Sequence, residues 1–182
     1  MPVVPGKPRP ELYMFRRSIK YSLICGVFIV VAFVVAYTMD GNPFIDFSHL
    51  LFDVFIFGIF AGFAMYEYKI YVNQGYLKFW EGMSLGFLVY TPAAILFGVL
   101  LAIFFAANPD ALAEYKLAAQ QFLQDDKAAF LEKYDEARYL QEQREIAEVT
   151  SSGLVINSVL KKIISGFFVT PVISIILRKN KT

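Results

Sequence analysis

Four polar side chains interrupt apolar stretches of this sequence, and they are the residues best suited to chemistry. His49 and Asp53 are four positions apart, so they share one face of a helix. Lys161 and Lys162 lie in the first half of another apolar run. These groups have three possible uses. They can be structural, with Asp53 paired to a lysine or with the lysine side chains reaching the membrane interface. They can instead bind a phosphate or phospholipid headgroup, or take part in ion or proton transport.

No arrangement typical of a catalytic or metal site accompanies them. The chain has one histidine, and its one cysteine, Cys25, lies in an apolar run. The sequence contains no glycine-rich phosphate loop, nucleophile elbow or zinc motif. Adjacent carboxylates such as Asp125 and Asp126 do not face one another on a helix, so they make poor acid–base pairs. We therefore expect a protein that is not an enzyme and has no catalytic residues, metal or cofactor.

The composition identifies the elements that must position these residues. Of the 182 residues, 57% are hydrophobic and 18% are charged, whereas soluble domains carry about 25% charged residues. The 17 basic and 16 acidic groups leave a net charge of +1, which excludes a nucleic-acid partner recruited by net charge. A single cysteine excludes a disulfide framework. The composition predicts an integral membrane protein in contact with a phospholipid bilayer.

Four apolar stretches are long enough to cross a membrane as helices. A span needs about 20 apolar residues, and its backbone must form its hydrogen bonds internally. The predicted spans are 21–37, 47–66, 79–107 and 154–177. The fold class is therefore all-α, an integral membrane four-helix bundle, with tails at 1–20 and 178–182.

Basic residues mark one side of this predicted bundle. They are concentrated in the N-terminal tail, in the connection between the second and third spans, and in the C-terminal tail. Because lysine and arginine remain on the cytoplasmic side, both termini are predicted to be cytoplasmic. The connection between the third and fourth spans is then extracytoplasmic.

That connection, 108–153, is a charged helical segment. It holds ten acidic and five basic side chains, which gives a net charge of −5. Asn108 suits an N-cap and Pro109 a first helical position, while Asp125 or Asp126 can cap a second helix that ends near Val149. We predict a helical hairpin between spans three and four, although the two helices can also extend those spans. The segment is either a solvated cap or a docking surface for a partner.

Small residues and prolines also have predicted roles inside the membrane. Gly58 and Gly62, like Gly82 and Gly86, form small-xxx-small motifs that let helices approach closely. They serve packing within the bundle or a seam with a partner. Pro92 and Pro171 each follow a threonine and are predicted to kink their helices, with the threonine hydroxyl returning a bond to a freed carbonyl.

The order of these features resembles a known family. Gly26 in the first span is followed by a second span with two glycines, by Tyr68-Lys69, and by the stretch GYLKFWEGMSLGF at 75–87. With the charged insertion and the ending Leu177-Arg178-Lys179, this resembles domain of unknown function family 4199, four-span membrane proteins of the Bacteroidota. The resemblance implies an inner-membrane location, no known activity, and a partner role beside a family-two glycosyltransferase in envelope glycan or lipid chemistry.

Two functions follow as expectations. The first is a non-catalytic accessory or assembly subunit of an envelope-associated membrane complex, whose partner is another membrane protein or a second copy of the chain. The second is a small lipid- or ion-handling transporter that uses His49, Asp53, Lys161 and Lys162.

Overall fold

The fold was determined from a computed structural model, which describes residues 10–39, 43–45 and 48–179, with the backbone alone at 10, 11 and 48–50. The part of the chain described forms seven helices and no strand. They are α1 (Pro10–Thr38), α2 (Ser48–Tyr71), α3 (Phe79–Ala107), α4 (Ala111–Asp125), α5 (Lys127–Lys133), α6 (Glu136–Glu148) and α7 (Ser151–Leu177). Helices α1, α2, α3 and α7 are long and apolar enough to cross a membrane. The predicted all-α fold with four membrane helices is confirmed.

The four long helices form one bundle in which consecutive helices run in opposite directions, so α2 and α7 are parallel neighbours. Helix α3 packs against the other three, whereas α7 packs mainly against α3 and α2. Helices α4 to α6, called the cap below, lie beyond one end of the bundle. Both ends of the described chain lie at the opposite end, where Leu77 and Lys179 exchange backbone hydrogen bonds of 3.0 and 3.1 Å.

Several helices run beyond the predicted apolar spans. Helix α1 begins at Pro10 rather than Tyr21, and α2 continues to Tyr71. Helix α7 begins at Ser151, because the Thr150 hydroxyl caps it by accepting a 3.1 Å hydrogen bond from the Gly153 backbone N–H. Hydropathy reports only the apolar part of a helix, so polar turns at its ends are missed.

The cap folds back on itself, which resolves one open alternative. Helix α4 packs against α5 and α6, and Lys116 Nζ donates a 2.7 Å hydrogen bond to the Ala147 carbonyl. The prediction of one continuous second helix was wrong. Helix α5 ends at Lys133 and a new helix, α6, begins at Glu136. The Asp135 carboxylate caps α6 by accepting a 2.8 Å hydrogen bond from the Arg138 backbone N–H.

Asn108 has a different role from the predicted N-cap of the first cap helix. Its backbone N–H and its side-chain amide both donate to the Phe104 carbonyl, at 2.9 and 3.0 Å. Asn108 therefore ends α3, and α4 begins only at Ala111. Asparagine is suited to either end of a helix, so the residue type alone could not show whether Asn108 ends α3 or begins α4.

The glycine motifs lie against α7. A side chain at Gly86 would collide with Thr170, and a Cβ at Gly82 would lie 2.6 Å from Ser174 Oγ. Gly58 and Gly62 of α2 face Val169 and Ile173 of α7 less tightly, with distances of 3.4 and 3.7 Å from an added Cβ. All four glycines thus pack inside this bundle, and the approach is close enough to require a glycine at Gly82 and Gly86.

Pro92 and Pro171 lie within α3 and α7, and both helices continue through them. The Thr170 hydroxyl donates a 2.7 Å bond to the Gly166 carbonyl, not to the Phe167 carbonyl that Pro171 leaves free. Thr91 Oγ1 is buried without a hydrogen-bond partner among the residues described. The predicted hydrogen bond from threonine to a freed carbonyl is therefore wrong at both prolines.

Candidate functional site

An ion pair joins two membrane helices inside the bundle. Lys162 Nζ of α7 lies 2.6 Å from Asp53 Oδ2 of α2, and the two side chains are 8% and 6% exposed. Asp53 lies about 7.5 Å along α2 from its first residue, at the cap end of the bundle. Either charge alone would be costly at such a buried position, so each stabilises the other.

The other two membrane helices complete the environment of this pair. The Lys162 ammonium lies 4.2 Å from the centroid of the Phe97 ring of α3, in cation–π geometry. Phe33 of α1 packs edge to face against the same Phe97 ring, with the ring centroids 5.6 Å apart. All four membrane helices therefore contribute a side chain to the surroundings of one salt bridge.

The ion pair forms part of the wall of a cavity between α2 and α7. The cavity has a volume of about 500 Å³. Its lining is largely apolar and comes from all four membrane helices and from the segment 43–45: Phe33, Pro43, Phe44, Ile45, Asp53, Val54, Phe97, Ser158, Lys161, Lys162, Ile164, Ser165 and Phe168. Ile164 and Phe168 are 54% and 69% exposed, so the cavity opens sideways, toward the surface that lipid covers.

Further polar groups surround the mouth of the cavity. Lys161 is exposed and has no ion-pair partner within the described ranges. The Ser158 hydroxyl also lines the cavity, and Ser165 Oγ donates a 2.8 Å bond to the Lys161 carbonyl. Ammonium and hydroxyl donors in an apolar cavity are groups that can hold the anionic part of an amphiphile.

The structure brings three of the four predicted polar residues together. Asp53, Lys161 and Lys162 line the same cavity. His49 lies in the first turn of α2, but its side chain is outside the described part of the structure. The packing glycines lie farther from the cap and do not line the cavity.

Sequence reasoning missed the aromatic and hydroxyl part of the lining. Phe97 and Phe33 are indistinguishable by type from the many other phenylalanines of the spans. A signal did exist on α7, because Ser158, Lys162 and Ser165 recur at helical spacing and form a polar stripe within an apolar helix.

A second cavity lies in the cap and shares a wall with the first. It has a volume of about 400 Å³, and Phe44 and Ile45 line both cavities. Its other lining residues are mostly aromatic or aliphatic, with Arg138 and Glu142 among them. Burial and the nearby Glu142 carboxylate raise the pKa of Tyr115 in this wall.

The ligand sets typical of metals are not present in what the structure describes. No group of three or more histidine, cysteine or acidic side chains there could hold a metal ion. The polar residues that line the cavity are the paired Asp53 and Lys162, the exposed Lys161, and the serines Ser158 and Ser165.

Comparison with known proteins identifies one family. Residues 20–179 match the family described as "Protein of unknown function (DUF4199)". No curated protein and no solved structure matches the chain. The match covers all four membrane helices except the start of α1, together with the cap. The chain therefore belongs to the DUF4199 family, as its sequence features predicted.

Proposed function

We propose that the protein binds single lipid molecules from the bilayer in the cavity between α2 and α7. The headgroup lies beside Asp53, Lys161 and Lys162, and the chains leave through the sideways opening. The protein is then a small lipid-handling membrane protein, either a carrier of lipid across the bilayer or a subunit that presents lipid to a partner.

The observation that carries the proposal is the position of the ion pair. A purely structural salt bridge gains most when it is packed on all sides, because water or a cavity beside it removes packing contacts. Asp53 and Lys162 are instead nearly buried and still form part of a cavity wall. The volume of about 500 Å³ lies within the range of about 300–1,000 Å³ that small-molecule sites occupy.

The basic residues support an orientation for this binding site. Lys69, Lys78 and Lys179 lie at the end of the bundle opposite the cap. The preference of basic residues for the cytoplasm places that end inside the cell and the cap outside. In this orientation the protein lies in the bacterial inner membrane with both termini cytoplasmic, and the cavity opens toward the outer leaflet.

Photocrosslinking tests lipid binding directly. The full chain is reconstituted with a phospholipid that carries a diazirine in its acyl chain, irradiated, and digested for mass spectrometry. We expect the crosslinks to be concentrated on residues 158–168 of α7. The substitution Ser158→Trp should abolish these crosslinks, because the larger side chain fills the cavity. Ile176→Trp adds the same side chain at an exposed position far from the cavity and should leave the pattern unchanged. Crosslinks spread evenly over all exposed helix faces would contradict the proposal.

A second candidate function rests on the cap. Leu117, Phe122 and Tyr134 are 70%, 55% and 55% exposed, although they lie outside the membrane helices. Exposed apolar side chains on helices suit helix-to-groove contacts with another protein. They support the role of a non-catalytic accessory or assembly subunit in an envelope complex, with a glycosyltransferase as the partner that the family resemblance implies.

Co-purification in mild detergent tests the accessory role. A tagged chain should retain one stoichiometric membrane-protein partner. Phe122→Ser with Leu117→Ser should release that partner, while the cavity substitution Ser158→Trp should not. Purification of the chain alone under the mildest conditions would contradict an accessory role and leave lipid binding as the remaining candidate.

A further inference from the structure

We propose that the cavity selects lipids whose headgroup is a single phosphodiester anion, and that Lys161 and Asp53 together set this charge preference. This inference rests on the proposed lipid binding and adds a headgroup class to it.

The preference follows from the charges that face the cavity. Among the described residues, the lining holds one carboxylate, Asp53, and two ammonium groups, Lys161 and Lys162. One negative and two positive charges leave a net charge of +1. Lys162 is already neutralised by its 2.6 Å contact with Asp53, so the excess charge belongs to Lys161 at the mouth.

A headgroup with one negative charge would neutralise this site. A zwitterionic headgroup would leave the excess positive charge in place, and a doubly charged headgroup would leave an excess negative charge. Once a bound lipid covers the lining and excludes water, uncompensated charge there is costly, so a cavity of this kind discriminates by net charge. Phosphatidylglycerol carries such a phosphodiester monoanion, whereas phosphatidylcholine is zwitterionic and cardiolipin carries two phosphodiester charges.

The arrangement of donors also suits a phosphodiester. A lysine ammonium has three N–H donors, and Lys162 directs one to Asp53 Oδ2 and lies over the Phe97 ring. Lys161 and the Ser158 hydroxyl line the same cavity and can donate to the two non-bridging phosphate oxygens. The Asp53 carboxylate offsets one of the two lysine charges, so a headgroup with one negative charge is sufficient to neutralise the other.

Native mass spectrometry with mixed lipids tests the charge preference. The purified full chain is equilibrated with equal amounts of phosphatidylglycerol, phosphatidylcholine and cardiolipin, all with the same acyl chains. For the natural chain we expect about tenfold more bound phosphatidylglycerol than phosphatidylcholine. Lys161→Gln should reduce this ratio to about twofold or less. Lys116→Gln removes the same charge from the cap and should leave the ratio unchanged.

Asp53→Asn sharpens the test. It raises the net charge of the described lining residues to +2 and should shift binding toward cardiolipin. Because this variant leaves Lys162 buried without its carboxylate and can fail to fold, the decision rests on Lys161→Gln, whose side chain is exposed.

Competition with a water-soluble compound distinguishes binding of a lipid from binding of its free headgroup. Glycerophosphoglycerol, which carries the same phosphodiester without acyl chains, should not displace phosphatidylglycerol at millimolar concentration. Displacement would assign the site to a soluble phosphodiester and overturn lipid selection. If the protein retains phosphatidylglycerol and phosphatidylcholine in equal amounts, the charge preference alone is overturned. If the protein retains no lipid at all, the proposed function is overturned as well.

Discussion

Helices α2 and α7 lie side by side, but the two halves of their contact differ. In the half remote from the cap, Gly58 and Gly62 face Val169 and Ile173, and a Cβ added at these glycines would lie 3.4 and 3.7 Å from the two side chains. In the half near the cap, Asp53 and Lys162 meet in their salt bridge. With Val54, Lys161 and Ser165 they line a cavity of about 500 Å³. We call these the closed half and the open half.

The difference shows how one pair of helices combines stability with a binding site. Small residues in the closed half allow close backbone approach, which is the main source of helix association in lipid. In the open half a salt bridge between charged side chains joins the two helices beside the cavity. Packing in the closed half therefore holds α2 and α7 together. The side chains of the open half do not need to be close-packed, and this leaves space for a ligand.

The largest expected effect comes from separating the two charges of the open half. Asp53→Leu or Lys162→Met alone should destabilise the chain by about 3–5 kcal/mol, because each removes one charge of a buried ion pair and leaves the other charge inside the bundle. The double substitution should restore stability to within about 1 kcal/mol of the natural chain. Unfolding by titration with sodium dodecyl sulfate measures all three. Single variants as stable as the natural chain would show that the pair is not buried.

A smaller effect is expected where α7 packs tightly. Gly86→Val forces a side chain into Thr170 and should cost about 1–3 kcal/mol. Gly62→Ala is the matched control, since its added Cβ would lie 3.7 Å from Ile173, and it should change stability by less than about 0.5 kcal/mol. The same unfolding titration compares them, and equal losses would contradict the difference in packing between the two glycines.

The aromatic support of Lys162 should contribute less. Phe97→Leu keeps an apolar side chain beside the ammonium but removes the cation–π contact, so we expect a loss of about 0.5–2 kcal/mol. Combining it with the Asp53→Leu/Lys162→Met double substitution removes the cation, and the cost of Phe97→Leu should then fall. A double-mutant cycle measures this coupling, and a cost that persists in full would mean that Phe97 acts through packing alone.

The smallest effect is expected in the cap, whose ion pairs are exposed. Arg138 contacts Glu142 at 3.2 Å and Glu145 at 3.7 Å, and its side chain is 44% exposed. Arg138→Ala should cost less than about 1 kcal/mol, and the difference should shrink in high salt because exposed pairs are screened. Unfolding measured at low and high salt checks this, and a large salt-insensitive loss would contradict it.

Much of the fold could be predicted from the sequence because the bilayer imposes a simple length and composition rule. That rule identified four membrane helices, and the resemblance in 75–87 identified the family that the match to residues 20–179 confirms. The break between α5 and α6 was missed. Helix-forming residues continue through it, and Asp135 begins a new helix only because its carboxylate accepts from the Arg138 N–H.

The candidate site could be predicted only as separate parts. Asp53 and the two lysines stand out because charge is rare in an apolar run. The sequence did not determine which lysine meets Asp53, since neighbouring residues on a helix point about 100° apart and the partners are 109 positions apart in the chain. The cavity depends on how α2 and α7 separate, which is a property of packing rather than of residue type.

A crystal structure of the full chain grown from a lipid mesophase containing phosphatidylglycerol would test lipid binding in the open half most directly. We predict elongated lipid density that enters between Val54 and Ile164, with a headgroup oxygen about 2.7–3.2 Å from Nζ of Lys161 or Lys162. Helices α2 and α7 closed along their whole length, or a cavity holding only water, would contradict it.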